Sequence, residues 1–190
     1  MEDNILDNTS EFESDWSQVR LAGFGSRAAA AIIDSLIMAP AVLISFWNIA
    51  NMKSLALDLL VSCIWVVYKI YMEWKYSATL GKMAIGIKVV DEELGPISLE
   101  QSMIRFSFYF LNFLGGAVGS YLIFNHPDFA EVTTLEEMAN LEQGTADLIT
   151  RLSAIPILVS VIAVLIEKRK QALHDKLAQT YCIFKTPAPS

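Results

Sequence analysis

The sequence predicts an all-α integral membrane protein: a four-helix transmembrane bundle with both termini cytoplasmic and a small cytoplasmic β-hairpin between spans 2 and 3. Three observations carry this. Four apolar stretches, about residues 28–50, 55–74, 103–124 and 148–166, each approach the roughly 20 residues that cross a hydrocarbon core about 30 Å thick. The 190 residues are 54% hydrophobic and 18% charged, with a mean hydropathy of +0.42, too apolar for an ordinary soluble domain and too short for a large transporter. Of the 14 Lys and Arg residues, all but Lys53 and Arg151 fall on one side of a four-span arrangement, and the positive-inside rule places that side in the cytoplasm. Three spans would leave the C-terminal basic cluster on the wrong side.

Residues 1–20 are acidic and lack the basic start and apolar centre of a signal peptide, which predicts a mobile tail. The membrane domain is expected over 21–185, with a short tail at 186–190. LAGFGS leads into the first helix with Ser26 as a candidate N-cap, and Pro40 is placed to kink that helix. Asp34 is the one charged side chain between Ala28 and Ala50, and Arg27 stands on the same face about two turns upstream. An ionised Asp at mid-helix costs about 2.5–3.5 kcal/mol on insertion scales, so Asp34 is expected to face protein or a water-filled cavity.

The second apolar run ends in aromatics typical of a membrane interface, with Lys69 and Glu73 four apart on one face. Their spacing predicts an interfacial salt bridge. In the connection after it, AIGIKVV reads as a strand, DEELGP as a turn, and a short strand around Ile97 as the returning arm of a hairpin. Ser98 with Gln101 forms a capping box opening the third helix at Leu99. That helix carries Arg105, Asn112 and a GxxxG pair, Gly115 and Gly119, which predicts close packing against another helix. The connection 125–147 contains six acidic residues and no Lys or Arg. A second capping box, Thr134 with Glu137, and a C-cap at Gly144 predict a short surface helix over LEEMANLEQ. The fourth span carries Arg151 near its start and Pro156 inside.

Three segments in this order, AGFGSRAAAAIID, EWKYSATLGKMAIGIKVVDEELGPISLEQSMIR and KRKQALHDKLAQT, resemble the RDD family of small membrane proteins, named for one Arg and two Asp. The Arg looks like Arg27 and the first Asp like Asp34; the second is most simply Asp175. The central block looks like the family pattern of an acid followed by TxGK, Gly, a basic residue and VVD: Glu73, Thr79, Gly81, Lys82, Gly86, Lys88 and Asp91. Gln179 departs from the Gly often found in HDxxAGT, and the long acidic connection is unusual. The resemblance implies membrane residence, and some members are described as cation/proton antiporters.

The residues leave two functional readings open. Arg27, Asp34, Glu73 and Asp175 form either a buried polar cluster that fixes helix packing in an accessory, scaffolding or regulatory protein, or the proton site of a small cation/proton antiporter. No metal, nucleotide or nucleophile motif appears, which predicts no enzyme and no cofactor. Cys63 and Cys182 lie at different expected depths, which suggests neither a disulfide nor a metal site. The charge pattern argues against nucleic acid. Expected partners are the lipid bilayer, a second copy or another membrane protein, and protons or monovalent cations under the transport reading. The expected location is the bacterial inner (cytoplasmic) membrane.

Overall fold

The computed structural model describes residue 16, residues 19–141 and residues 144–185; the expected acidic tail through residue 15 and the C-terminal tail 186–190 lie outside the described residues. The chain near the start of the membrane domain is extended. Arg20 accepts a backbone hydrogen bond from Phe184, and Leu21 forms a single antiparallel bridge to Ile183.

The first span is two helices, α1 (Phe24–Ile37) and α2 (Ala39–Trp47). They are bent by 48° where Pro40 enters the first turn of α2, continued by a π-helical turn at Asn48–Met52. Pro40 lacks the N–H that would bond back to Leu36, so the ladder stops and restarts there. α1 begins three residues earlier than a Ser26 cap would allow: Gly23 is the N-cap, and the Ser26 hydroxyl donates back to its carbonyl at 2.9 Å.

Ser54 caps α3 (Leu55–Tyr76), and buried Asn48 holds the preceding turn by bonding both backbone groups of Ser54. A short helix α4 (Leu80–Ile85) and strand β1 (Ile87–Val90) follow. The long helix α5 (Leu99–Phe124) opens with the expected box: Gln101 N–H donates to Ser98 Oγ at 3.1 Å, and Ser98 N–H to Gln101 Oε1 at 2.9 Å. After a 3₁₀ turn at Pro127–Glu131 come α6 (Leu135–Leu141), α7 (Thr145–Ile166), α8 (Leu173–Leu177) and β2 (Tyr181–Phe184). α6 is capped by Thr134 and Glu137 as expected. Gly144 stands at the N-cap of α7 with φ +109°; the C-terminal closure expected for α6 falls on residues 142 and 143, outside the described residues. Three helices, α3, α5 and α7, are long and apolar enough to cross a membrane, and the bent α1–α2 pair makes a fourth if it is one span.

The expected hairpin is not formed. β1 pairs antiparallel with β2, Ile87 opposite Phe184 and Val90 opposite Tyr181, and the return arm near Ile97 shrinks to one bridge between Val90 and Pro96. Pro96 has no N–H for a ladder, and the Ser98 cap turns the chain into α5 two residues later. The turn itself is held by Asp91, whose Oδ1 accepts from Glu93 and Gly95 N–H.

The principal interhelical seams are α5 on α7, α3 on α5, and α1 on α4. Gly115 and Gly119 are buried against α7: a Cβ on Gly115 would overlap the Ser153 side chain, and one on Gly119 would come within 2.8 Å of Thr150 Oγ1. One core cluster, Ala22, Ala30, Ile87, Val89, Ile97 and Cys182, joins the sheet to α1 at the end of the bundle that carries the charged residues. Another, around Ile49, Ile123, Phe129, Val132 and Ala146, closes the opposite end, where Lys53 Nζ donates to the carbonyls of Phe129 and Ala130.

Candidate functional site

The site lies where the start of α1, the end of α3, the start of α5 and the helix α8 meet. Five charged side chains form a chain alternating in sign: Arg27, Asp175, Arg105, Glu73, Lys82. Asp175 is fully buried and its two oxygens are divided between Arg27 and Arg105. Its Oδ2 also accepts the Ala172 N–H at 3.0 Å, so the same carboxylate caps α8. Glu73 is divided likewise: Oε2 accepts from Arg105 Nε at 2.9 Å, and Oε1 from Lys82 Nζ. Arg105 is therefore the hub, and its Nη1 also donates to Thr180 Oγ1 at 2.6 Å. Arg27 completes its set on the carbonyls of Ala22 and Lys170.

Burial by itself pushes the Asp175 carboxyl up, but Arg105, Arg27 and the His174 ring hold it well below the usual carboxylate range. His174 is driven the other way: burial lowers its pKa, opposed by Asp175. Ser160 Oγ on α7 accepts the His174 backbone N–H and lies 2.8 Å from Nδ1. Asp175 Oδ1, 3.3 Å from Nε2, is an acceptor that favours the ring proton on that nitrogen, the tautomer in which Nδ1 accepts from the Ser160 hydroxyl.

Asp34 stands beside this chain of charges without joining it. Its Oδ1 accepts from Tyr68 Oη and from Gly81 N–H, both at 2.7 Å, and its Oδ2 from Thr79 Oγ1 at 2.6 Å. The Arg27–Asp34 pairing expected from their shared helical face is absent; Arg27 reaches Asp175, 148 residues away, instead. The physical reason is proximity to better partners: α4 lies directly on α1, and its first turn offers Asp34 an N–H and a hydroxyl. Gly81 is required for that approach, since a Cβ there would strike the Ala30 carbonyl and come within 2.8 Å of Asp34 Cγ. The TxGK segment is therefore a docking device: Thr79 and Gly81 clamp Asp34, and Lys82 reaches Glu73. Gly86 ends α4 in the left-handed region at φ +77°, and Lys88 lies on β1 opposite Ile183, away from the charges.

The RDD family model matches residues 21–179. The chain belongs to the RDD family. No curated protein and no solved structure matched it. The Arg and two Asp read as the signature of the RDD domain do not form one triad: Arg27 and Asp175 pair directly, while Asp34 is held by Thr79 and Gly81 at the start of α4. Four buried or half-buried participants, Arg105, Tyr68, Ser160 and Thr180, were missed as site residues from sequence. Arg105 had a legible signal. Ser98, Ser102 and Arg105 fall at helical spacing on one polar face, and Ser102 indeed turns to α3, donating to the Ile70 carbonyl at 2.9 Å. Tyr68, Ser160 and Thr180 had none, because single hydroxyls in apolar or mixed surroundings are common. Gln179, in the place the RDD motif often gives to Gly, adopts φ +53°, and the turn closes with Thr180 N–H on the Asp175 carbonyl at 2.9 Å. Holding a non-glycine residue there costs about 1 kcal/mol or more.

Proposed function

We propose that this RDD protein is a non-enzymatic accessory or scaffolding membrane protein whose charged network is a permanent latch, fastening α4, α8 and the two-stranded sheet to the ends of the spans. The observation that carries it is saturation: both oxygens of Asp34, Glu73 and Asp175 are occupied by fixed donors, and among the described residues no buried side-chain nitrogen or oxygen lacks a partner. A carboxylate that loads and releases a proton in transport must exchange partners as access alternates. Here an exchange at Glu73 or Asp175 would strand a buried charge, at a cost of several kcal/mol, and one at Asp34 would strand buried hydrogen-bond donors. The wide lateral surface that one chain leaves uncovered on its spans supports association with a second copy or another membrane protein. Twelve of the 14 Lys and Arg residues on the network side support a cytoplasmic position for that end and for both termini, in a bacterial inner membrane.

A second reading, a small cation/proton antiporter, is favoured by one feature. Asp34 lies one turn before the 48° break in the first span, and broken spans frame ion sites in carriers. Proteoliposomes holding the purified protein, assayed for proton and monovalent-cation flux over a pH series, decide between them. The latch reading expects flux no greater than in protein-free vesicles. Cation-dependent flux in the wild type that disappears in folded Asp34→Asn would replace it with the antiporter.

A further inference from the structure

The Lys69–Glu73 salt bridge expected from their spacing is not made. Glu73 gives both oxygens to Lys82 and Arg105, and among the described residues no carboxylate oxygen lies within 4.0 Å of Lys69 Nζ. The ammonium instead sits over two rings, 4.5 Å from the Tyr109 centroid and 5.8 Å from that of Trp65. Those same two rings line the near end of a groove of about 270 Å³ between α3 and α5. Lys69 lies seven residues inside the end of α3, about 10 Å along the axis. The groove continues from Tyr109 to Ser120, about 16 Å along α5 toward the opposite end.

We propose that this groove binds an anionic membrane phospholipid, with its phosphate on Lys69 and one acyl chain laid between α3 and α5. Charge complementarity selects the occupant. Glu73, the acid one turn away, is already shared between Lys82 and Arg105, so Lys69 adds a cation that this acid does not balance, and a phosphate at the headgroup boundary supplies the missing anion. Further along the groove Ser62 and Asn112 line its wall, the Asn112 amide nitrogen donating to Ser153 Oγ at 3.3 Å. Phe113 and the bare backbone at Gly116, with no atom within 4 Å of where its Cβ would stand, then leave an apolar slot for a chain. A zwitterionic lipid offers Lys69 no net charge, and free phosphate has nothing to fill the slot. The site is separate from the latch and does not depend on the reading given to it.

The test titrates phosphatidylglycerol, phosphatidylcholine and inorganic phosphate separately onto the full chain in detergent, reading retained lipid by native mass spectrometry and thermal midpoint in parallel. Phosphatidylglycerol should be retained and should stabilise the wild type, with the other two ineffective at the same concentration. Lys69→Gln should raise its half-saturation at least about fivefold, the size of one lysine–anionic-lipid contact. Gly116→Leu, whose Cβ meets no atom within 4 Å and whose side chain enters the slot, should do the same. Lys75→Gln, an exposed lysine at the end of α3, should not. Equal response to phosphatidylcholine or to inorganic phosphate overturns the proposal. So does loss in only one of Lys69→Gln and Gly116→Leu, or an equal loss in Lys75→Gln.

Discussion

Arg105 is the residue on which the site turns, because it joins the two ion-paired buried acids, Glu73 and Asp175. Removing one partner from such a network costs more than the pair is worth, since the remaining charges stay buried without compensation. Arg105→Ala should therefore destabilise the detergent-solubilised protein by about 3–5 kcal/mol, seen as a lower thermal midpoint, while exposed Lys75→Ala should be nearly neutral. A midpoint for Arg105→Ala within error of Lys75→Ala would mean that the network contributes nothing to folding. Lys53 is unsuited as a neutral control: its ammonium closes the far end of the bundle on two backbone carbonyls. At the same scale, Asp34 shows why an acid is tolerated inside a span. Three donors, none of them charged, surround it, so its burial is balanced by hydrogen bonds and not by a counter-ion.

Among elements, the α5–α7 seam is the main helix contact, and the glycine spacing on α5 shapes it. Gly115 and Gly116 are neighbours in sequence but not in environment. Gly115 faces Ser153, while Gly116 faces open space. Gly115→Leu should then cost about 1–3 kcal/mol through overpacking, and Gly116→Leu should leave thermal stability unchanged or improve it through better helix propensity. Equal loss in both variants would place the seam on a different face of α5. The short helix α4 shows the converse of a long span. It has too few residues to be stable alone, and it persists because its first turn is bonded to Asp34 and its lysine to Glu73.

For the whole molecule, attachment of α8 and the sheet to the spans should depend on pH. The His174 ring is enclosed by Ser160 of α7, the rings of Phe108 and Tyr109 of α5, and the charges of Asp175, Arg105 and Glu73. Burial lowers its pKa, so the unfolded chain binds a proton, near pH 6.5 and below, that the native state refuses. Stability should accordingly fall as pH drops below about 6.5. Asp175 has the depressed pKa of a paired acid, so its contribution is complete above about pH 4 and is lost only below that. Hydrogen exchange of residues 171–184 should accelerate between pH 7 and pH 5 in the wild type, and much less in His174→Gln. Identical pH slopes would remove His174 from the account.

What the sequence determined by itself was apolar length and most of the helix caps and breaks. The long apolar stretches, the bend at Pro40 and the Ser98–Gln101 and Thr134–Glu137 boxes are all properties of contiguous residues. The tertiary structure alone decided which partner each polar group took. Arg27 and Asp34 share a helical face, yet their partners come from α8 and α4; Lys69 and Glu73 are four apart, yet Glu73 is claimed from α4 and α5. Strand β1 likewise passes over the nearby Ile97 segment for a partner at the far end of the chain. The reason is physical: hydrophobic length and capping are set within a few residues, whereas a buried charge or strand edge is satisfied by whichever group the packed helices bring within about 3 Å, and sequence distance does not enter that choice.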